Sequence, residues 1–331
     1  MSTTFIAGRE VAIGQPSFDD GNVILVTVEE PTAFRLHRGV LSRHSDVFAD
    51  LFEVAQPVGV EHPESQVVPM YDNPSDLSSL IKALYDGITS DPTDPTDFFI
   101  LASVLRLSSK YLATRLRAQT IRLLLTTWAC TLEGHDEMVN RALTAPVLND
   151  MTYPYVHPLH VLNLAHETNV QILKPSALYF LSVYPLSEIL EGAHPKLTVQ
   201  HPSRPSSAFS PTDIRDYTLM YQFRTTTVLD FIRKFCQEHA ANPKCGNHET
   251  CGRQFSHLVT RLHRSWQPKT GALYFIHQVI EEARCTTRIC TACRTDFIAQ
   301  GRKYRASVWE SLPSVIGMPS WQALESADLG L

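Results

Sequence analysis

The chain is poor in glycine, with 14 among 331 residues, while proline reaches 21. Few backbone hinges and many helix stops predict short helices separated by loops. No charge sign dominates: the formal net charge is −5, so no whole-chain attraction to nucleic acid or an anionic membrane is implied. No apolar run approaches the ~18 residues that a membrane span needs. The opening Met-Ser-Thr-Thr-Phe-Ile-Ala-Gly-Arg lacks a basic stretch followed by an apolar one, so no secretory signal is expected. The expected setting is therefore intracellular, in cytoplasm or nucleus, where disulfides are rare. Also missing are a Gly-x-Ser-x-Gly elbow, a Gly-rich phosphate loop, a dinucleotide fingerprint and an evident catalytic carboxylate pair. No catalytic residue and no organic cofactor is assigned, and the expectation is a protein that is not an enzyme. Hydrophobic residues make up 44% and charged residues 19%, an ordinary globular balance. No internal repeat is found.

What is present begins with strand patterning. Asn22 to Val28 is β-branched and apolar, a turn follows at Glu29–Thr32, and Ala33 to His37 alternates; together they predict a hairpin. Ser45 can cap a helix over Asp46–Phe52. Pro57–Gln66 reads as a polar loop, Val67–Pro69 as a short strand, and Pro74 as a helix start with Leu77, Leu80, Ile81 and Leu84 on one face. Asp91 to Asp97 reads as a loop ending in a cap, followed by helices over about Phe98–Ser108 and Lys110–Trp128. From 135 to 192 three or four helices and no strand are expected, broken over Asn149–His157. His194–Pro211 is rich in Pro and Ser without periodicity and reads as an exposed linker or long loop. A strong helix then carries Tyr217, Tyr221, Val228, Phe231, Ile232 and Phe235 near one face.

The sharpest chemical constellation is cysteine. Cys245 and Cys251 form one close pair, Cys290 and Cys293 another, with 38 residues between them. Two short elements carrying paired thiolates readily supply the four ligands of a tetrahedral zinc ion. A closed set of four is structural, and no general base is paired with it. His248 and Cys285 stand as alternative ligands; buried cysteines without a metal are the plainer reading. Cys130 and Cys236 are expected on apolar helix faces as core residues. His135, His157, His160 and His166 share one stretch, but Pro158 interrupts the His-x-x-His pair, so capping and surface roles are favoured over metal binding. His37 reads as a satisfied structural residue. Residues 241–310 hold 11 Lys or Arg against 5 Asp or Glu. That excess raises nucleic-acid binding as an idea, with a solvated helix surface as the simpler account.

The first 125 residues resemble the BTB/POZ family. The resemblance lies in Asp20-Gly-Asn-Val-Ile-Leu, then Phe34-Arg-Leu-His37-Arg-Gly-Val-Leu41, Ser45-Asp-Val-Phe48 and Leu51-Phe52. Asn22 departs from the family's usual aspartate. Leu101 to Leu112, ending Ser-Lys-Tyr-Leu, looks like the family's helix pair. The remainder resembles a large fungal (basidiomycete-type) group in which a BTB domain precedes a helical region with a cysteine-bearing end. The matching stretches there are His157–Ala165, Leu181–Leu186 and Leu312–Trp321.

The resemblance implies an α+β chain: a small sheet flanked by helices, then an all-helical region with a zinc-stabilised end. The expected layout is an N-terminal segment at 1–16, the BTB domain at 17–128 and a helical, BACK-like region at 129–193. A linker or loop at 194–211 and a helical region with the cysteine pairs at 212–331 complete it. It also implies an interaction module that forms homodimers and serves as adaptor or scaffold. The alternatives are a cullin-linked substrate adaptor and a DNA-associated regulator. The cullin role uses a hydrophobic-x-Glu element after the second helix; Leu51-Phe-Glu53 has the letters but lies within the expected helix, and Glu61 and Glu64 lack the hydrophobic partner.

Overall fold

The computed structural model describes residues 3–6, 8–53, 66–91, 94–144, 147–148, 151–152, 156–237, 242–265 and 271–330. Its sheet is built from β1 (Thr3–Ile6), β2 (Arg9–Ile13), β3 (Val23–Thr27), β4 (Thr32–Leu36) and β5 (Gln66–Met70), in spatial order β1-β2-β4-β3-β5. The expected hairpin is β3 antiparallel to β4, with Leu25 opposite Phe34. Its turn is held by the Thr27 Oγ1, which accepts from the Thr32 N–H at 3.0 Å. β5 pairs parallel to β3 and is the outer strand, with Pro69 opposite Val26. The expected N-terminal segment, 1–16, contributes β1 and β2, an antiparallel pair that joins the sheet through a parallel β2–β4 contact.

The central strand β3 is apolar throughout because both of its faces are covered. Val23 and Leu25 pack toward the helices, while Ile24 packs with Ile6, Val11 and Ala33 on the other side. Gly21 is required at the strand entry: a Cβ there would meet the Leu36 backbone nitrogen at 2.8 Å.

Helices α1 (Arg38–His44), α2 (Asp46–Glu53), α3 (Pro74–Asp86), α4 (Pro95–Lys110) and α5 (Thr114–Leu125) complete the N-terminal part. Ser45 caps α2 as expected, accepting from the Phe48 N–H at 3.1 Å, and gives its own proton to the Tyr111 carbonyl. Asn73 caps α3 ahead of Pro74. The cap of α4 is Asp94 and not Asp97, because Pro95 takes the first helical position and the Asp94 carboxylate accepts from Thr96 at 2.7 Å. The helix expected over Lys110–Trp128 starts later, since Leu112 adopts a positive φ of 49°. The loop expected at 57–66 lies outside the described residues except for Gln66, which opens β5.

The helical half contains α6 (Leu132–Thr144), α7 (Pro158–Glu167), α8 (Lys174–Leu181), α9 (Leu186–Glu191), α10 (Pro211–Phe231), α11 (His248–Ser265), α12 (Ala272–Cys285), α13 (Thr291–Val315) and α14 (Trp321–Leu329). A π-helical turn, Ile232–Gln237, extends α10. Two two-residue strands, β6 (Val147–Leu148) and β7 (Met151–Thr152), pair where no strand was expected; runs that short carry no alternation to read. Most of the expected break at 149–157 lies outside the described residues.

The two halves share a core through α4 and α5. Val104, Leu107 and Leu116 face the sheet, whereas Phe98, Phe99, Leu101, Leu105, Ile121 and Leu124 pack into the helical half. A helix buried on two sides reads as apolar nearly all round. Arg117 of α5 reinforces the joint, donating to the Asp328 carbonyl at 3.1 Å and the Thr168 carbonyl at 3.4 Å.

The segment 194–211 has no regular structure beyond a 3₁₀ turn at Pro195–Leu197 and the start of α10, but it is not exposed along its length. Leu197 and Ser203 are buried. Arg106 of α4 donates to the Ser203 carbonyl at 3.0 Å, and Asn163 of α7 to the Ala208 carbonyl at 3.0 Å. The segment is a strap over α4 and α7, held by polar side chains that periodicity cannot register.

Candidate metal centre

The cysteine pairs are placed by local chain chemistry. Asn242 forms a tight turn, its side chain accepting from Lys244 N–H at 2.9 Å and its carbonyl from Cys245 N–H at 2.8 Å. Asn247 accepts from the Thr250 N–H at 3.0 Å, which caps α11. Cys245 therefore sits in a turn, and Cys251 in the first turns of α11. Cys290 is the N-cap of α13, with Cys293 one turn into it. α12 returns the chain so that the two helix starts meet. Behind them Phe255, Phe275, Ile276, Ile289 and Phe297 form an apolar floor.

The four sulfurs of Cys245, Cys251, Cys290 and Cys293 lie within 4.8 Å of one another. The Cys245–Cys290 separation is 3.7 Å. A tetrahedral ion with zinc–sulfur bonds of about 2.3 Å places its ligands about 3.8 Å apart. Sulfurs at 3.7 Å are not in a disulfide, which needs about 2.05 Å. Three of the four residues are buried and Cys290 is half-buried.

Backbone N–H groups point at the sulfurs: Cys290 N–H toward the Cys251 sulfur at 3.4 Å, Cys293 N–H toward the Cys290 sulfur at 3.5 Å. The Cys293 N–H lowers the Cys290 thiol to about 7, while desolvation raises Cys293 to about 12. Without a cation, four clustered thiols cannot all ionise. A divalent ion would supply the charge that four thiolates require. The cluster is close enough to hold a metal ion. His248 and Cys285, the alternative ligands, are exposed and stand outside the cluster. The turn-forming Asn242 and Asn247 were not singled out from the sequence, although Asn ahead of a helix is a recognisable cap signal.

The remaining candidates fall out differently. Cys130 is half-buried but lies beyond the end of α5 and not on a helix face; the Cys236 side chain lies outside the described residues. His37 is satisfied as expected, by the Tyr85 hydroxyl at 3.1 Å and Asp20 at 3.1 Å. His157 caps α7, accepting from Leu159 N–H at 3.2 Å. The surface role fails for His135 and His160, which are buried; side-chain type alone does not separate core from surface histidine. His166 meets Asp213 of α10 at 2.8 Å.

Part of the basic excess over 241–310 is spent on neighbours. Arg253 pairs with Glu249, Arg261 with Glu282, Arg284 and Arg302 with Glu281, and Arg305 with Asp136. Leu51-Phe52-Glu53 closes α2, with Phe52 buried, and Glu61 and Glu64 lie outside the described residues. Among the described residues no helix is long and apolar enough to cross a membrane.

Comparison with known families finds a BTB/POZ domain at residues 21–127. This range takes in β3 to β5, α1 to α5 and the turn beyond. It leaves out β1, β2 and the helical half. No curated protein and no solved structure matches the chain.

Proposed function

We propose that this protein is a non-enzymatic adaptor or scaffold that forms homodimers through its BTB/POZ domain and presents its helical half as a second binding surface. The observation that carries the reading is the BTB/POZ domain at 21–127, a protein-interaction module, in its expected α+β frame. The proposed units are 17–128 for that domain, 129–193 and 212–331 for the helical regions, and 194–211 as the strap between them. The chain is further assigned to the fungal group with a cysteine-bearing helical end. The buried Trp309–Trp321 stack, with ring centroids at 5.3 Å, gives the Leu312–Trp321 stretch a structural purpose consistent with that assignment.

Within this reading, Cys245, Cys251, Cys290 and Cys293 hold one structural zinc ion. The support is the sulfur spacing, the N–H groups aimed at sulfur and, among the described residues, a cluster made of cysteine alone. Zinc there would tie the start of α11 to the start of α13 and contribute folding free energy directly. The ion pairing of Arg253, Arg261, Arg284, Arg302 and Arg305 favours a helix surface over a nucleic-acid groove.

Two measurements test the proposal. Light scattering at micromolar concentration should report a dimer; monomer alone would remove the homodimer. Metal analysis of the purified chain should give one zinc per chain and less in Cys290→Ser. A metal-free wild type would remove the zinc site and leave the BTB reading standing.

A further inference from the structure

A cleft of about 440 Å³ opens among α6, α8 and the start of α9. Pockets for small organic ligands run from about 300 to 1,000 Å³. Trp128, Val139, Ala142 and Phe180 give it a mainly apolar wall. Among the described residues, the charged ones on that wall are one lysine, Lys196, and one glutamate, Glu188, which together carry no net charge.

Among the described residues, His135, Tyr179, Tyr184, His194 and Tyr274 add neutral polar groups to the lining, and the first two carry the argument. His135 is 1% exposed, and neither ring nitrogen has a hydrogen-bond partner among the described residues. Desolvation lowers its pKa to about 3. The neutral ring therefore carries one unused donor and one unused acceptor. It is boxed by Tyr179 edge-on, Phe180 stacked and Trp309 tilted. These rings pack around it without bonding its nitrogens. Tyr179 Oη accepts from Leu273 N–H at 3.0 Å. The hydroxyl still has its own proton to give. A buried imidazole with both nitrogens idle is an exception in native structures and needs an explanation.

We propose that this cleft binds a small aromatic alcohol of the phenol type, with its ring against Trp128, Val139 and Phe180 and its hydroxyl bonded by His135 and Tyr179. A hydroxyl both donates and accepts, so it suits either tautomer of the imidazole. At His135 and Tyr179 a carboxylate would surrender its hydration for neutral partners, the Lys196 ammonium being bonded to the Tyr184 hydroxyl at 3.1 Å, and a hydrocarbon would leave the nitrogens idle. Because those nitrogens are withdrawn from water, binding includes a turn of the imidazole toward the cleft.

Calorimetric titration of the full chain with 2-naphthol, naphthalene and 2-naphthoate tests the assignment. Naphthalene is the most apolar of the three, so partition alone would rank it above 2-naphthol. The expected order puts 2-naphthol first, about tenfold tighter than naphthalene, as one net hydrogen bond allows, with 2-naphthoate weakest. His135→Phe should close the gap between 2-naphthol and naphthalene. Ala142→Phe, at a partly exposed position, should weaken both by filling the cleft. No saturable 2-naphthol binding, naphthalene binding as tightly as 2-naphthol, or a gap that survives His135→Phe would each overturn the proposal. Should His135→Phe lack native circular dichroism, Ala142→Phe decides: unchanged 2-naphthol affinity overturns it.

Discussion

Replacing Asp136 by alanine should destabilise the chain by about 2–3 kcal/mol. Arg305 of α13 presents a two-pronged guanidinium to the Asp136 carboxylate of α6, with one nitrogen–oxygen distance at 2.7 Å. Its Nε donates to the Leu273 carbonyl of α12 at 2.8 Å. The Arg305 side chain is 8% exposed and that of Asp136 31%. Removing one partner of a fully buried pair costs about 3–5 kcal/mol. Asp136 retains contact with water, so screening lowers the figure. The remaining Leu273 bond gives the stranded guanidinium one partner, which lowers it again. The double replacement Asp136→Ala with Arg305→Met leaves no stranded charge and should cost about 1 kcal/mol. The assay is urea unfolding followed by circular dichroism, run as a double-mutant cycle. A single variant within about 0.5 kcal/mol of wild type, or a double variant equal to the sum of the singles, would refute the reasoning.

Two further outcomes follow from buried groups. Burial lowers His135 to about 3 and His157 to about 2, against 6.5 for the free side chain. Below pH 6.5 the unfolded chain binds protons that the folded chain refuses, so stability falls with pH across that window, by up to about 1.4 kcal/mol per unit for each histidine. Urea midpoints at pH 7 and pH 5 should show the loss, and His135→Phe should reduce it; an equal loss in that variant would count against the assignment. A fragment ending at residue 128 should bind a hydrophobic dye and self-associate, since Phe98, Phe99, Leu101 and Leu124 lose their cover. A monomeric, dye-silent fragment would show that the shared core is dispensable.

Local signals made much of the first half legible. Alternation in Ala33 to His37, Pro74 at a helix start and Ser45 as a cap are all short-range, and each appears where it was expected. The two cysteine pairs were legible for the same reason: a spacing of three sets Cys290 and Cys293 one helical turn apart, and a spacing of six takes the chain from the turn at Cys245 into the start of α11 at Cys251. The edge hairpin was not, because the β2–β4 pairing joins residues about twenty apart and five-residue strands leave little periodicity. The strap was missed because Arg106 and Asn163 hold it by side-chain bonds to its carbonyls. The cleft was hidden because its orphaned histidine looks like any other in sequence; only three-dimensional burial makes it conspicuous.

Pro69 gives the sheet a direction. In β5 the Met70 carbonyl faces inward, where Val28 N–H reaches it at 2.9 Å. By alternation the backbone of residue 69 faces outward, and proline has no hydrogen there to give. An added strand would find no donor at the fourth residue of this five-residue edge. At the opposite margin β1 carries threonine, threonine, phenylalanine and isoleucine with ordinary amides, and Phe5 is exposed. Among the described residues the sheet is thus interrupted on one flank and unbroken on the other, so strand-by-strand growth is favoured at β1 over β5.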